Sequence, residues 1–251
     1  MSGQGDTAGR SGAAERLAVL AEGAGGCVRC ALSRSRTQVV FGVGSADAEL
    51  MFVGEGPGFH EDKQGEPFVG QAGKLLTELL DGIGLSRPEV YITNVVKCRP
   101  PENRDPAPEE IEACTPFLME QIGLIRPRVI CTLGRFAAKL LADTELGISA
   151  IHGKAKVREL GEVSVVVFPV FHPAAALYTP ANRKVLEVDF AKLRVLLEKG
   201  PEALNQEATV GAAAGPEAAG PSDTPSSSRP EPVSGPADRQ ASRQTEQLPL
   251  W

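Results

Sequence analysis

"ELMFVGEGPG", residues 49–58, is an apolar run that stops on glycine and continues as a glycine-rich loop. Five or six apolar residues without polar alternation read as a strand buried on both faces. The pattern recurs three times, in "VYITNVV" (90–96), "RVICTLG" (128–134) and "VSVVVFPV" (163–170). Between these runs lie stretches with helical apolar spacing: "GQAGKLLTELLDGI" (70–83), "APEEIEACTPFLMEQIGLI" (107–125) and "RFAAKLLA" (135–142). A helix at 12–23 precedes the first strand, and "NRKVLEVDFAKLRVLLEKG" (182–200) closes the series. Strands alternating with helices predict four parallel strands covered on both faces. Ligands of such sheets sit beyond the carboxyl ends of the strands. That rule selects "GEGPG" (54–58), "TNVVKCRPPENR" (93–104), "LGR" (133–135) and "FHPAAALYTPANRK" (171–184).

Composition limits the function. Hydrophobic residues make up 42% of the 251-residue chain, enough for a core, while aromatics are only 5%. The net charge is −6, so a nucleic-acid surface would have to be a local patch. Residues 1–11 read as disordered, 12–200 as one domain and 201–251 as a disordered tail rich in Ala, Pro, Gly and Ser. Seven acids against three arginines give that tail −4. There is neither a membrane-length apolar run nor a signal-like start, which predicts a cytoplasmic protein with reduced cysteines.

Cys27 and Cys30 form a C-x2-C pair, with Cys98 and Cys114 downstream. Four thiols in a reducing compartment suit tetrahedral zinc or an iron–sulfur cluster, and spacing does not choose between them. Cys131, inside an apolar strand, reads as an inert core residue.

Four segments, "CVRCALS" (27–33), "VGEGPGFHEDKQGEPFVGQAGKLL" (53–76), "VYITNVVKCRPPENRDPAPEEIEAC" (90–114) and "FHP" (171–173), together resemble the family-four uracil-DNA glycosylases, the iron–sulfur branch. The resemblance covers about residues 15–200 and implies an α/β/α sandwich with a central parallel sheet, which with the four strands above predicts a three-layer sandwich with a central four-stranded parallel sheet. It implies a 4Fe–4S cluster on Cys27, Cys30, Cys98 and Cys114, and a monomeric enzyme that flips uracil out of single- or double-stranded DNA and hydrolyses its glycosidic bond. Phe68 would stack on uracil, and the Asn94 amide would read its O4 and N3–H. The Gly56 N–H and His172 would hold O2. Glu55 and Glu61 are the candidate carboxylates for the water or the sugar cation, with Glu61 pairing with Asn103. His60 stands where many relatives carry a carboxylate. Leu177 or Tyr178 would be the wedge filling the gap left by the base. Lys97, Arg99, Arg104, Lys154, Arg183 and Lys184 are candidate phosphate contacts.

Two rival readings stay open to test. A related branch traps uracil-DNA covalently, but "KCRPPENRDP" has neither that branch's arginine-rich insertion nor its histidine. An electron carrier would not need "GEGPG", Asn94 and His172 at one sheet edge. Finally, Gln247, Leu248, Leu250 and Trp251 of "QLPLW" resemble the peptide by which bacterial repair proteins dock on the sliding clamp, Trp251 taking the place of the commoner phenylalanine.

Overall fold

The computed structural model describes residues 6–203. Helix α1 (Asp6–Gly25) is followed by strands β1 (Val43–Gly44) and β2 (Leu50–Gly54), then helices α2 (Phe59–Gln64) and α3 (Gln71–Gly82). Strand β3 (Tyr91–Asn94) leads to α4 (Pro108–Ile125), and β4 (Val129–Leu133) to α5 (Arg135–Ala142) and the single turn α6 (Ile148–Ile151). Strands β5 (Lys156–Leu160) and β6 (Val163–Val170) precede α7 (Pro173–Tyr178) and α8 (Pro180–Lys199). The first helix begins at Asp6, inside the stretch expected to be disordered. The proposed docking residues Gln247, Leu248, Leu250 and Trp251 lie outside the described residues.

The sheet runs β1-β3-β2-β4-β6-β5. Its centre is the expected set of four parallel strands, with Phe52 opposite Ile92 and Cys131, and Cys131 opposite Phe168. The expected total of four is corrected to six, because β1 and β5 add antiparallel edges. Neither carries a buried-strand signal: β1 is two residues long, and β5 alternates exposed with half-buried positions. Its polar residues blunt the sheet edge.

Successive residues of the central strands feed two cores. Met51, Val53 and Ile130 pack under α1, α4 and α5, against Leu17, Leu118 and Leu141. Leu50, Phe52 and Cys131 face α3 and α8, against Leu76, Leu80, Phe190 and Leu193. The rings of Phe52 and Phe190 stack at 5.9 Å, and burying each such side chain is worth about 1.5–3 kcal/mol. Cys131 is fully buried and its thiol is pushed well above its ordinary range by burial, as an inert core residue would be. With both faces covered, only the sheet's ends and edges remain for chemistry, and the carboxyl ends of β2, β3 and β6 carry Glu55, Asn94 and His172.

Gly73 is the tightest point between α3 and that edge. A Cβ there would stand 1.8 Å from the Phe68 carbonyl oxygen. Gly123, in the exposed part of α4, meets nothing within 4 Å. Gly73→Ala is therefore expected to lower the unfolding free energy by about 1–3 kcal/mol. Gly123→Ala should raise it by about 0.5–1 kcal/mol. Urea titrations of both variants check this; equal effects would show that α3 does not press on the Phe68 turn.

Candidate active site

The carboxyl edge of the sheet opens into a cleft of about 350 Å³, the scale of a small-molecule site. It is lined by Gly56 and Gly58, by Phe59, His60 and Glu61 of α2, by Phe68, by Asn94 and Asn103, and by His172, Leu177 and Tyr178 around α7.

Phe68 enters from a turn that is held on every side. Its φ is +57°, a conformation that an aromatic residue adopts only under constraint. Glu61 Oε1 accepts the N–H groups of Val69 (3.0 Å) and Gly70 (3.1 Å), and Arg87 donates to the Pro67 carbonyl (2.8 Å). The pairing of Glu61 with Asn103 implied by the resemblance is replaced by these bonds, while Asn103 Oδ1 accepts from Arg99 Nε at 2.7 Å. The Phe68 ring lies 5.6 Å from that of His172, inclined to it by 28°.

Asn94 ends β3 with its side chain buried. Its Oδ1 has no hydrogen-bond partner among the described residues. Buried amide oxygens are rarely left so, and one at a ligand edge is a waiting acceptor. Gly54 makes room for it: a Cβ there would meet Asn94 Oδ1 at 2.4 Å and the Phe68 ring at 2.7 Å.

His172 caps α7. Its Nδ1 accepts the Ala174 N–H at 3.1 Å, so in the neutral ring the proton sits on Nε2. Burial lowers its pKa from 6.5 to about 4, which keeps it neutral at physiological pH. The preceding Phe171 ring packs at 4.7 Å on His152, whose Nδ1 is 2.7 Å from the buried Asp189 carboxylate. This pair, not anticipated from sequence, braces the turn that delivers His172. It has no local signal, because its partners lie 37 residues apart.

Glu55 is buried beside the ion pair of Arg135 and Asp105 and is not among the cleft-lining residues. Burial first, and Asp105 second, push its pKa up to about 8, with Arg135 opposing. At neutral pH it is an acid, not a base.

The expected phosphate contacts divide. Lys97 is corrected: it is fully buried, and its ammonium is spent on Thr93, Asn94 and Gln121. Arg183 is exposed but paired with Glu78 (2.9 Å) and Glu187 (3.0 Å), and Arg104 is paired with Glu110 (2.7 Å). Lys154 donates to the Ala150 carbonyl, and Lys184 is exposed. Arg99 and Lys63 stand over the Phe59 ring, at 5.2 and 5.7 Å, on the rim of the cleft. Leu177 and Tyr178 stand on the same cleft, 46% and 62% exposed. Sequence reading passed over Phe59, because an aromatic after "GPG" carries no periodicity.

The four thiols of Cys27, Cys30, Cys98 and Cys114 line a second, separate cavity. Cys98 Sγ accepts from Arg36 Nη1 and Cys114 Sγ from the Lys97 N–H, both at 3.3 Å. Burial pushes the Cys98 thiol up to about 11 and also raises that of Cys114. Among the described residues no three His, Cys, Asp or Glu side chains are set for a single metal ion.

A covered parallel sheet with an amide acceptor, a stacking ring and a neutral imidazole at its carboxyl edge defines a pocket for a flat, hydrogen-bonding ring. The sequence pattern of the Uracil DNA glycosylase superfamily matches residues 41–194. The chain is 52% identical over 175 residues to the type-4 uracil-DNA glycosylase of Sulfurisphaera tokodaii, covering 68% of this chain and 80% of that protein. It is 52% identical over 177 residues to that of Archaeoglobus fulgidus (69% and 89%) and 47% over 196 residues to that of Saccharolobus solfataricus (76% and 91%). The chain belongs to the type-4 uracil-DNA glycosylase family. No helix among the described residues is long and apolar enough to cross a membrane.

The raised Glu55 pKa has a measurable consequence. The unfolded chain ionises this group near 4.5, and the folded chain near 8. Between those values the native state alone holds the proton, so its contribution to stability is complete below pH 4.5 and lost as pH rises to about 8. Glu55→Gln should flatten the fall of unfolding free energy across that window by about 1.4 kcal/mol per pH unit. Denaturant titrations at several pH values check this; an unchanged slope would mean that Glu55 is ionised in the native state.

Proposed function

We propose that this chain removes uracil from DNA by hydrolysing the bond between the base and its deoxyribose, the first step of base excision repair. The observation that carries the reading is the unpartnered Asn94 Oδ1 in the cleft. Uracil offers a donor at N3 and an acceptor at O4, matching Oδ1 and Nδ2 of one amide. Cytosine presents the reverse pattern and would leave both amide groups opposed, which sites of this kind reject strongly.

The base would reach the cleft by flipping out of the strand and stacking on Phe68. Leu177 or Tyr178, exposed at the rim, would fill the gap in the DNA. Arg99, Arg183 and Lys184 remain candidates for phosphate contact, the two arginines after exchanging or sharing their present partners. As the glycosidic bond stretches, negative charge gathers on uracil O2. The His172 Nε2–H and the Gly56 N–H would donate to it, and a neutral donor in a buried site needs no proton transfer to do so. Glu61, holding two backbone N–H groups, serves the shape of the Phe68 turn. Glu55 would act on the sugar cation only in its ionised form.

The four cysteines fit a 4Fe–4S cluster: they line one cavity, and two of the sulfurs already receive N–H donors, as thiolate ligands do. The cluster would tie the segment after α1, the segment after β3 and α4 together, and no step of the reaction is routed through it. The C-terminal peptide Gln247–Trp251 would dock on a bacterial sliding clamp, with Leu250 and Trp251 as apolar anchors.

Release of free uracil from single- and double-stranded oligonucleotides, with the protein mass unchanged, tests the activity; a covalent adduct would favour the trapping branch. His172→Ala should cut turnover by about 10²–10³ while leaving DNA affinity nearly intact. A loss confined to binding would remove His172 from its role. The wild-type rate should lack an acid limb at the ordinary histidine value of 6.5, because burial lowers the His172 pKa to about 4. The clamp reading predicts that a purified bacterial clamp binds the full chain and not a chain ending at Glu246, with equal uracil release from short oligonucleotides by both. Equal binding, or none, overturns it.

A further inference from the structure

Lys97 is a buried cation without a carboxylate. Its Nζ lies 2.6 Å from Thr93 Oγ1, 2.7 Å from the Asn94 carbonyl oxygen and 2.6 Å from Gln121 Oε1. Each of these atoms must act as the acceptor. The Asn94 carbonyl has no proton. The Thr93 hydroxyl gives its proton to the Phe41 carbonyl at 2.7 Å. The Gln121 amide is pinned with Nε2 on the Phe41 carbonyl (2.9 Å) and on Tyr91 Oη (3.0 Å), so Oε1 faces the lysine. Three acceptors require three N–H donors, which only the charged ammonium has.

A buried charge needs an opposite one, and leaving it uncompensated costs several kcal/mol. Among the described residues no carboxylate forms an ion pair with Lys97, whose ammonium is held by uncharged oxygens alone. Lys97 itself lines the four-cysteine cavity, and its own N–H bonds Cys114 Sγ. The cavity becomes anionic when the four sulfurs bind metal as thiolates.

We propose that Lys97 is the buried counter-charge of the metal–thiolate centre and, through its bond to the Asn94 carbonyl, the positioning residue that ties the base-reading amide to that centre. This rests on the cluster reading above. The residue joins both sites: its ammonium bonds the carbonyl of the residue whose amide lines the cleft, and its backbone N–H bonds Cys114 Sγ. Lys97 touches no substrate and acts only through Asn94.

The test uses the holoenzyme purified without oxygen, as wild type, Lys97→Met and Lys97→Gln; the glutamine variant keeps a hydrogen-bonding group should the methionine variant not accumulate. Iron and sulfide in the wild type are measured first, and their absence would sink the cluster reading rather than this one. With the cluster present, removing a nearby positive charge disfavours the more reduced form, so the midpoint potential of the cluster should fall in both variants. Inhibition by free uracil should weaken by tenfold or more in Lys97→Met, with a smaller loss in Lys97→Gln. An unmoved potential in both variants overturns the counter-charge. A lowered potential with wild-type uracil inhibition overturns the link to Asn94.

Discussion

Five residues of main chain, Asn94 to Cys98, hold the two halves of this molecule's chemistry together. Asn94 closes a parallel strand and so stands at the ligand edge. Cys98, four residues on, faces the thiol cavity. The segment between them is not a free loop: Val95 N–H donates to the Gly54 carbonyl (2.9 Å) and Val96 N–H to that of Glu55 (3.0 Å). These bonds continue the β2–β3 pairing past the end of the ladder and fasten the glycine loop to the base-reading strand. Gly54 is then forced: the strands converge so closely that any side chain there would displace both Asn94 and Phe68. The pocket is therefore narrow because the sheet is regular up to its last residue, and the same regularity aims the sulfur of Cys98 at the opposite cavity.

Burial sets the charge states around the cleft. His172 is kept neutral and Glu55 is kept protonated by the same loss of solvent, acting on a base and an acid in opposite directions. A site tuned in this way presents fixed donors and few formal charges. Such an arrangement suits a reaction in which negative charge develops on a departing ring, because neutral dipoles already pointing at that charge need not reorganise. It suits general-base activation of water less well. Among the described residues the carboxylate lining the cleft is Glu61, which has committed an oxygen to two backbone donors. The positive charge that would develop on the sugar thus has, among the described residues, no ready carboxylate beside it unless Glu55 ionises.

What could be read from the residues follows from what is local. The four central strands were legible because burial on both faces makes each a continuous apolar run. The loops at their carboxyl ends followed from topology alone, and those loops hold Asn94 and His172. The edges β1 and β5 were not legible, since an exposed edge strand has no such run and β1 is held by pairing rather than by its own sequence. Lys97 was misread for an instructive reason. In "NVVKCRP" a lysine beside an arginine looks like part of a basic patch, and only Thr93 and Gln121, the latter 24 residues away on α4, turn it inward. The His152–Asp189 brace was invisible for the same reason: its meaning exists only after α8 has packed on the sheet.

The distribution of charge bears on how such an enzyme would hold DNA. The chain is acidic overall, and Arg104 and Arg183, near the cleft in sequence, are already engaged with carboxylates. Phosphate neutralisation, which dominates affinity in strongly basic DNA-binding proteins, has little to draw on here. The rim offers apolar and aromatic surface instead: Leu177 and Tyr178 on one helix, and Phe59 beneath Arg99 and Lys63 on another. Aromatic faces bound to cations stack bases without regard to sequence. Affinity gained in this way would depend on bases that are already unstacked, and would be greatest where a strand is open or a pair is weak. A tether to the replication machinery would add what the surface lacks. It would raise the local concentration of DNA around the cleft without adding positive charge that would hold the enzyme on undamaged duplex.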